Sequence, residues 1–272
     1  TAMWIKRTKY LEGNHKILER DWDERTSCGY IVKSFTLSDQ VKQESSVFFN
    51  YIVKDSDRPD TIATKIYGRP DLHWLVLFAN DIQNIYEEWP KDQVELENFV
   101  SKRYPGKSLF ITPVNTNIAK KTYAVGSHVT GPYSSSLGVT AQATVIGWDI
   151  NFDELIVDSI TGSFAANDTI EIISTDNAVR QETVNKVVDT TDAVHHFVDS
   201  SGNYQDPYGA TSVAGTSLDL VEGYKQGTLQ SSYNIRTNRE YEEEENETKR
   251  GIKLVKSSFV EPILKDLDSL FT

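Results

Sequence analysis

The amino-acid sequence predicts an α+β protein: a strand–helix–helix–strand (βααβ) module, an inserted small all-β domain that is a barrel or a sandwich, and extended N- and C-terminal arms. Residues 47–112 alternate strand and helix signals, whereas residues 113–190 change to short runs in which every second residue is apolar. Apolar residues recur about every 3.6 positions in helices and every second position in half-buried strands. The two ends are charged or amphipathic and carry too little apolar sequence for cores of their own.

The module is predicted to begin with a strand and a capped helix. Val47 to Val53 is β-branched and aromatic, which favours a mostly buried strand. Pro59 and Asp60 mark a helix start, because proline loses no hydrogen bond in the first turn and an acidic group faces the positive end of the helix dipole. Gly68 suits the left-handed residue that ends this helix.

Two further helices and a closing strand complete the predicted module. Pro70 opens the second helix, whose apolar stripe stops at Asn80. A more exposed helix is expected over residues 91–104, after a corner at Trp89. The chain then turns into Ser108–Thr112, which is expected to pair beside the first strand.

The residues of this module resemble a known family. A strand, D-x-P-x-x-I-A-x-x-x-Y-G, a helix with H-W-L-x-L-x-x-N and then W-P together resemble a LysM-type module. More narrowly, they are similar to the LysM-like baseplate wedge protein family of T-even-type contractile-tailed bacteriophages (myoviruses). The resemblance extends over about residues 30–112 and resumes in about the last 40 residues. The matching residues are Arg58, Pro59, Asp60, Ile62, Ala63, Tyr67, Gly68, His73, Trp74, Leu75, Asn80, Asp81, Ile82, Trp89 and Pro90.

The resemblance implies a structural protein and not an enzyme. A member of this family is a virion component of the tail baseplate, assembled in the host cytoplasm, and it joins neighbouring wedges through its LysM-like module. The expected partners are other baseplate wedge subunits, with no nucleic acid, no membrane and no small-molecule substrate. Binding energy from several separate contacts would hold the baseplate together. No cofactor is expected.

Changes in composition predict five segments. These are a charged N-terminal arm (1–29), the LysM-like module with an extra helix (30–112), the small β domain (113–190), an extended linker (191–235) and a C-terminal arm with an amphipathic helix (236–272). Glycines separate the short runs of the β segment, while polar residues run through the linker. The β segment shares no periodicity with the module before it, which indicates an insertion.

The candidate interaction residues lie in the module and in the C-terminal helix. Residues 257–272 place one apolar stripe on a helix that is expected to dock either on this chain's core or on another subunit. Deleting these residues is therefore expected to impair assembly while leaving the module folded. The candidates are Trp74, Tyr86 and Trp89 of the module, and Val260, Ile263, Leu264, Leu267, Leu270 and Phe271 of the helix.

Charge and composition exclude several classes of function. The formal net charge of −12 argues against a nucleic-acid partner, because phosphate binding is driven by basic residues that release counterions. The single cysteine, Cys28, excludes internal disulfides and cysteine-based zinc sites. The longest apolar run, Trp74 to Ala79, is too short to cross a bilayer. No apolar core follows the basic residues near the N-terminus, so no secretory signal is expected.

Sequence patterns for metal binding and catalysis are incomplete. Residues 149–153 imitate the start of a calcium loop, but Glu154 replaces its glycine and Ile160 its final glutamate. His195 and His196 are adjacent, so on a strand they are expected to point to opposite faces and not to share a metal. Motifs for serine hydrolases, phosphate-binding loops and zinc proteases do not occur. Neither a metal site nor a catalytic residue is therefore expected.

A carbohydrate-binding role is the alternative. LysM-type modules, which this stretch resembles, bind N-acetylglucosamine polymers such as peptidoglycan or chitin in a groove between two loops. The corresponding loops are residues 55–60 and 80–89, where Tyr86 and Trp89 are available to stack on sugars or instead to fill the module's core or face a protein neighbour. A single module, no export signal and no attached hydrolase domain favour the structural role. Retention on peptidoglycan that Trp89→Ala abolishes would indicate the carbohydrate role.

Overall fold

The computed structural model describes residues 5–8, 34–37, 44, 46–113, 123–134, 139–174, 178–208, 210–211 and 217–271. Its contacts divide the chain into two units. The first comprises Thr1–Asp92 and Asn246–Thr272, and the second comprises Gln93–Glu245. The predicted N-terminal arm, residues 1–29, lies outside the described residues except for Ile5–Thr8, a strand that pairs antiparallel with Ser34–Leu37.

The described elements mix strands and helices. The strands are β1 (Ile5–Thr8), β2 (Ser34–Leu37), β3 (Phe48–Ile52), β4 (Lys107–Pro113), β5 (His128–Ser134), β6 (Val139–Asp149), β7 (Glu154–Thr161), β8 (Thr169–Ile173), β9 (Val179–Asp189), β10 (Val194–Asp199), β11 (Tyr204–Gln205), β12 (Ala210–Thr211), β13 (Ser217–Leu218), β14 (Tyr233–Thr237) and β15 (Gly251–Val255). The α-helices are α1 (Pro59–Tyr67), α2 (His73–Ala79), α3 (Ile85–Glu88), α4 (Gln93–Arg103), α5 (Leu220–Gln226), α6 (Asn238–Arg250) and α7 (Ser257–Phe271), and 3₁₀ turns cover Pro70–Leu72 and Thr190–Asp192. Among the described helices, none has both the length and the apolar character that a membrane span requires.

The start and end of α1 agree with the sequence prediction. Pro59 is its first residue, and the backbone N–H of Arg58 donates to Thr61 Oγ1 at 2.8 Å. Gly68 ends the helix with φ of 70°, and its N–H donates to the carbonyl oxygen of Thr64 at 3.0 Å. A residue with a side chain is strained at such a φ, which explains the glycine.

The predicted pairing of residues 108–112 with the first strand is wrong. β3 instead pairs antiparallel with β15, so that Phe49 lies opposite Leu254 and Tyr51 lies opposite Ile252. Residues 108–112 belong to β4, which lies in the second unit. The βααβ arrangement that a LysM-type module requires is therefore not confirmed, because local residue patterns identify a strand but not the strand that it pairs with.

The first unit has one apolar core formed by β3, the helices α1 and α2, and the C-terminal elements β15 and α7. Residues 236–272 are therefore not an extended arm over their whole length. The C-terminal helix is expected from its sequence to dock either on this chain's core or on another subunit. Its N-terminal half packs on the core. The buried residues of this core are Val47, Phe48, Val53, Ile62, Ala63, Leu72, Leu75, Val76, Trp89, Ile252, Leu254, Val255, Val260 and Ile263.

The predicted β domain is a closed six-stranded barrel in the order β4-β7-β6-β5-β8-β9, with β4 pairing both β7 and β9. The barrel begins at Lys107, earlier than the predicted boundary at residue 113. Gly106, directly before it, has φ of 77°, and a Cβ there would lie 2.0 Å from the carbonyl oxygen of Val157. Only glycine allows this close approach of two backbones. The barrel core contains Leu109, Ile111, Tyr123, Val129, Ala141, Ala143, Val145, Leu155, Val157, Phe164, Ile170, Ile172 and Val184.

The prediction of an extended linker over residues 191–235 is wrong. This segment contains β10, which lies between β11 and β14 in a three-stranded sheet, and it also contains α5. Phe197 and Leu220 are buried there together with Phe110, which β4 presents on the face opposite its barrel residues. Because the segment is rich in polar residues and its core partner comes from β4, its own sequence pattern is too weak to reveal the fold.

Candidate functional site

The candidate site is the part of the first unit where the two predicted ligand loops, residues 55–60 and 80–89, meet. Asp57 fastens the first loop with its carboxylate. This group accepts hydrogen bonds from Tyr51 Oη at 2.8 Å, from the backbone N–H of Lys54 at 3.1 Å and from Lys65 Nζ at 2.6 Å. Burial favours the neutral acid, but these three hydrogen bonds outweigh it and lower the pKa of Asp57 below its ordinary value. The carboxylate is therefore charged at neutral pH and ties the loop to β3 and α1.

Trp89 connects the second loop to the first. Its side chain is 9 % exposed and belongs to the core, and its Nε1 donates to the backbone carbonyl oxygen of Asp57 at 3.2 Å. A buried indole whose N–H is satisfied within its own unit has no face free for a sugar or a protein partner. Of the two environments considered for Trp89, ligand contact and core, the structure places it in the core.

The other two aromatic candidates differ in exposure. Trp74 is half-buried against the core and packs edge-on against Phe78, with ring centroids 5.9 Å apart. Tyr86 is 86 % exposed on the short helix α3, where the side chain of Asn84 accepts a hydrogen bond from its backbone N–H at 3.1 Å. Tyr86 thus projects its ring into solvent from a capped helical turn, and among the described module candidates it alone is available for contact over most of its surface.

The candidates on α7 divide into two groups. Val260 and Ile263 are buried in the core of the first unit, and Leu264 is half-buried against it. Leu267, Leu270 and Phe271 lie on the same helix, but their side chains lie outside the described part of the structure. The packing argues against one part of the deletion prediction, that the module stays folded without residues 257–272, because the deletion would expose the core that Val260 and Ile263 help to fill.

The side chains of Asn80 and Tyr67 close the outer edge of β15, a role that the sequence pattern does not predict. Asn80 Nδ2 donates to the backbone carbonyl oxygen of Lys253, and the N–H of Lys253 donates to Asn80 Oδ1, each at 2.8 Å. The Tyr67 hydroxyl donates to the carbonyl oxygen of Val255 at 2.9 Å. A carboxamide has the same donor and acceptor as a peptide group, so Asn80 takes the place of a neighbouring strand. Asn80 and Tyr67 both belong to the LysM-like motif, but only the fold shows which groups they bond.

The C-terminal half of α6 fastens the C-terminal elements to the first unit. The side chain of Asn246 accepts from the N–H of Lys91 at 2.7 Å and donates to its carbonyl oxygen at 3.0 Å. Arg250 donates to the carbonyl oxygen of Val53 at 3.2 Å and pairs with Asp55 at 2.7 Å. These polar contacts, together with the apolar core, join the two chain segments that form the first unit.

The two histidines of the second unit correct a further prediction. The register of β10 shifts between Val194 and His196, and the Nδ1 atoms of His195 and His196 lie 2.9 Å apart, so the two rings do not point to opposite faces. His195 also stacks on Tyr241 with ring centroids 3.8 Å apart. Burial lowers the pKa of both histidines, which keeps them neutral at pH 7 and lets one ring N–H donate to the other ring.

Metal ligation has little support in the second unit. Within the described ranges, no group of three His, Cys, Asp or Glu side chains could hold one ion. In the segment that imitates a calcium loop, Asp149 Oδ1 accepts from the N–H of Asn151 at 2.7 Å, and Asp153 pairs with Lys225 at 2.9 Å. The carboxylates of this turn are thus engaged in local contacts within the protein.

Comparison with known proteins relates one part of the chain to phages. Residues 30–133 match the family described as Base plate wedge protein 53. The baseplate wedge protein gp53 of Enterobacteria phage T4 is 33% identical over 85 residues, which are 30% of this chain and 43% of the T4 protein. The chain thus aligns with less than half the length of this relative. The stretch that carries the candidate site, from β3 to α3, is accordingly similar to phage baseplate wedge proteins.

Proposed function

We propose that the chain is a structural component of a phage tail baseplate wedge, which joins neighbouring wedge subunits by protein–protein contacts during baseplate assembly. The observation that carries this proposal is the similarity of residues 30–133 to baseplate wedge proteins, including the T4 protein. Its partners would be other baseplate wedge subunits, its location the tail baseplate of the virion, and its place of assembly the host cytoplasm.

The surface of the first unit supports a role in binding proteins. Tyr86 is 86 % exposed and Ile85, its neighbour on α3, is 37 % exposed, while Ile52 on β3 is 71 % exposed. Large apolar side chains gain roughly 25 cal/mol for each Å² of apolar surface that a partner covers. Exposed aromatic residues on a rigid, capped turn lose little conformational entropy on binding.

The carbohydrate-binding alternative has less support. It requires aromatic rings at the two loops that can stack on a sugar, and Trp89 is buried with its indole N–H bonded to Asp57. Tyr86 would be left as the single described aromatic side chain of these loops with an exposed ring. One exposed ring gives a weak platform for a polymer of N-acetylglucosamine, so the structural role is preferred.

The proposal is tested by locating the chain in virus particles and by binding to the neighbouring subunits. An antibody against the chain should label the baseplate end of tails in electron micrographs, and particles produced without the chain should have incomplete baseplates. Co-purification of wedge subunits with the full chain should weaken for Tyr86→Ala and persist for Asn84→Asp, which keeps the cap of α3. Normal tails in the absence of the chain would refute the structural role.

A further inference from the structure

The strand pair of the first unit, β3 and β15, has backbone groups that point away from it on both sides. The ends of the ladder show which groups bond within the pair: Val53 N–H donates to the carbonyl oxygen of Arg250, and Lys256 N–H donates to that of Val47, each at 2.9 Å. Bonded positions alternate along an antiparallel ladder, so every second residue of β3 directs its N–H and C=O groups away from β15. These residues are Phe48, Asn50 and Ile52.

The two edges of this strand pair differ in whether other groups bond their outward backbone atoms. On the β15 side, Asn80 bonds both outward backbone groups of Lys253, and Tyr67 bonds the outward carbonyl oxygen of Val255. On the β3 side, no partner bonds the outward backbone groups of Asn50 within the part of the chain that the structure describes. The side chains of Asn50 and Ile52 are exposed there, Ile52 to 71 %. Among the described residues, the β3 edge is therefore open at Asn50, while side chains bond the β15 edge.

The sequence of β3 lacks the devices that protect open edges. Proteins commonly guard such edges with lysine, proline, inward-pointing charges or bulges. No charged residue, proline or glycine lies between Val47 and Val53, and the register of β3 with β15 runs without a shift. An uncharged edge of aromatic and β-branched residues is a template for another strand.

We propose that β3 pairs antiparallel with β3 of a second copy of this chain, across a two-fold axis at Asn50, to form a four-stranded sheet. In this register Asn50 faces Asn50 of the second copy, where the two backbones exchange two hydrogen bonds and the carboxamides bond each other. Phe48 lies opposite Ile52 and Phe49 opposite Tyr51, so the strand is complementary to itself. No like charges meet, and the exposed side chain of Ile52 is covered. This pairing does not depend on the proposed baseplate role.

Disulfide trapping tests the register. In the full chain carrying Cys28→Ser, the variant Asn50→Cys places two thiols opposite each other, with Cα atoms about 5.5 Å apart, a distance that a disulfide spans. Ile52→Cys on the same face is the matched control, because residue 52 of each copy is then displaced from its counterpart by four residues, roughly 13 Å. We expect Asn50→Cys to form covalent dimers under mild oxidation while Ile52→Cys stays monomeric. Equal trapping of both variants, or trapping of neither, would overturn the proposal.

Light scattering after size exclusion gives an independent readout. At roughly 100 µM or above, because a short strand contact is weak, the full chain should approach twice its mass of 30.8 kDa. Asn50→Pro removes the two N–H donors at the axis without removing a bond to β15, and it should raise the dimer dissociation constant at least about tenfold. If circular dichroism shows that this variant is unfolded, Asn50→Glu replaces it, since like charges would meet at the axis while Lys253 lies opposite within each copy. A monomeric wild-type chain, or a folded variant that dimerises equally well, would contradict the pairing.

Discussion

Replacing Asn80 by alanine should loosen β15 and leave the helices of the first unit in place. The Asn80 carboxamide makes three hydrogen bonds of 2.8 Å: Nδ2 donates to the carbonyl oxygens of Val76 and Lys253, and Oδ1 accepts from the N–H of Lys253. The strand would lose the group that replaces its missing neighbour.

The magnitude follows from these contacts. Opening of β15 breaks two of these bonds, those to Lys253, and a neutral hydrogen bond contributes about 1 kcal/mol net, which gives roughly 2 kcal/mol. We expect about 2 kcal/mol, which corresponds to a roughly 30-fold increase in the opening of β15.

Hydrogen exchange followed by mass spectrometry measures this opening directly. Peptides covering residues 251–255 should exchange about 30-fold faster in Asn80→Ala, while peptides of the barrel keep their wild-type rates, because local openings are independent of distant cores. Asn84→Ala is the matched control, since it removes an asparagine cap from α3 without touching β15. A change below about twofold in residues 251–255, or an equal change in the barrel, would refute the reasoning.

Three other predictions concern charge and exposure. Burial raises the pKa of Glu154 to about 7, so the stabilising contribution of this side chain is complete below pH 4.5 and is lost as the pH rises through 7. In urea unfolding, the Glu154→Gln variant should therefore be more stable than wild type by roughly 3 kcal/mol at pH 8.5 and no more stable at pH 4. The hydrogen bonds of Asp57 outweigh its burial and lower its pKa, so its contribution to stability is present above pH 3.8 and is lost as the pH falls further. Asp57→Asn should reduce thermal stability at pH 7 and make the loss of stability in acid less steep. An unchanged acid profile would count against the hydrogen-bond network. Trp89→Ala should cost about 3–5 kcal/mol of unfolding free energy, whereas Tyr86→Ala should change it by less than about 0.5 kcal/mol; similar losses in both would contradict the burial difference between them.

Local chemistry was sufficient to predict several elements. A strand, Phe48–Ile52, lies within the predicted run from Val47 to Val53, and α1 starts at Pro59 and ends before Gly68. A C-terminal helix, Ser257–Phe271, lies where the apolar stripe predicts one, although it begins before the predicted start that follows Ser257 and Ser258. Such signals work because a proline, a glycine or a periodic stripe acts within a few residues along the chain.

The partners of these elements could not be read in the same way. Nothing near Phe48–Ile52 indicates that β15, at the other end of the chain, closes its sheet. Likewise nothing around Phe110 indicates that one face of β4 fills the barrel while Phe110, on the other face, packs with Phe197 and Leu220. Pairing depends on long-range complementarity, which a short window of sequence does not contain.

The sequence by itself determined where several strands and helices lie, that a small β domain interrupts the chain, and that residues 30–133 are similar to phage baseplate wedge proteins. Only the tertiary structure decided which exposed-looking residues are core. Trp89 is buried by the loop that Asp57 holds, and His195 and His196 are brought together by a shift in strand register. Burial is a property of all the neighbours that a side chain meets, and those neighbours come from distant parts of the chain.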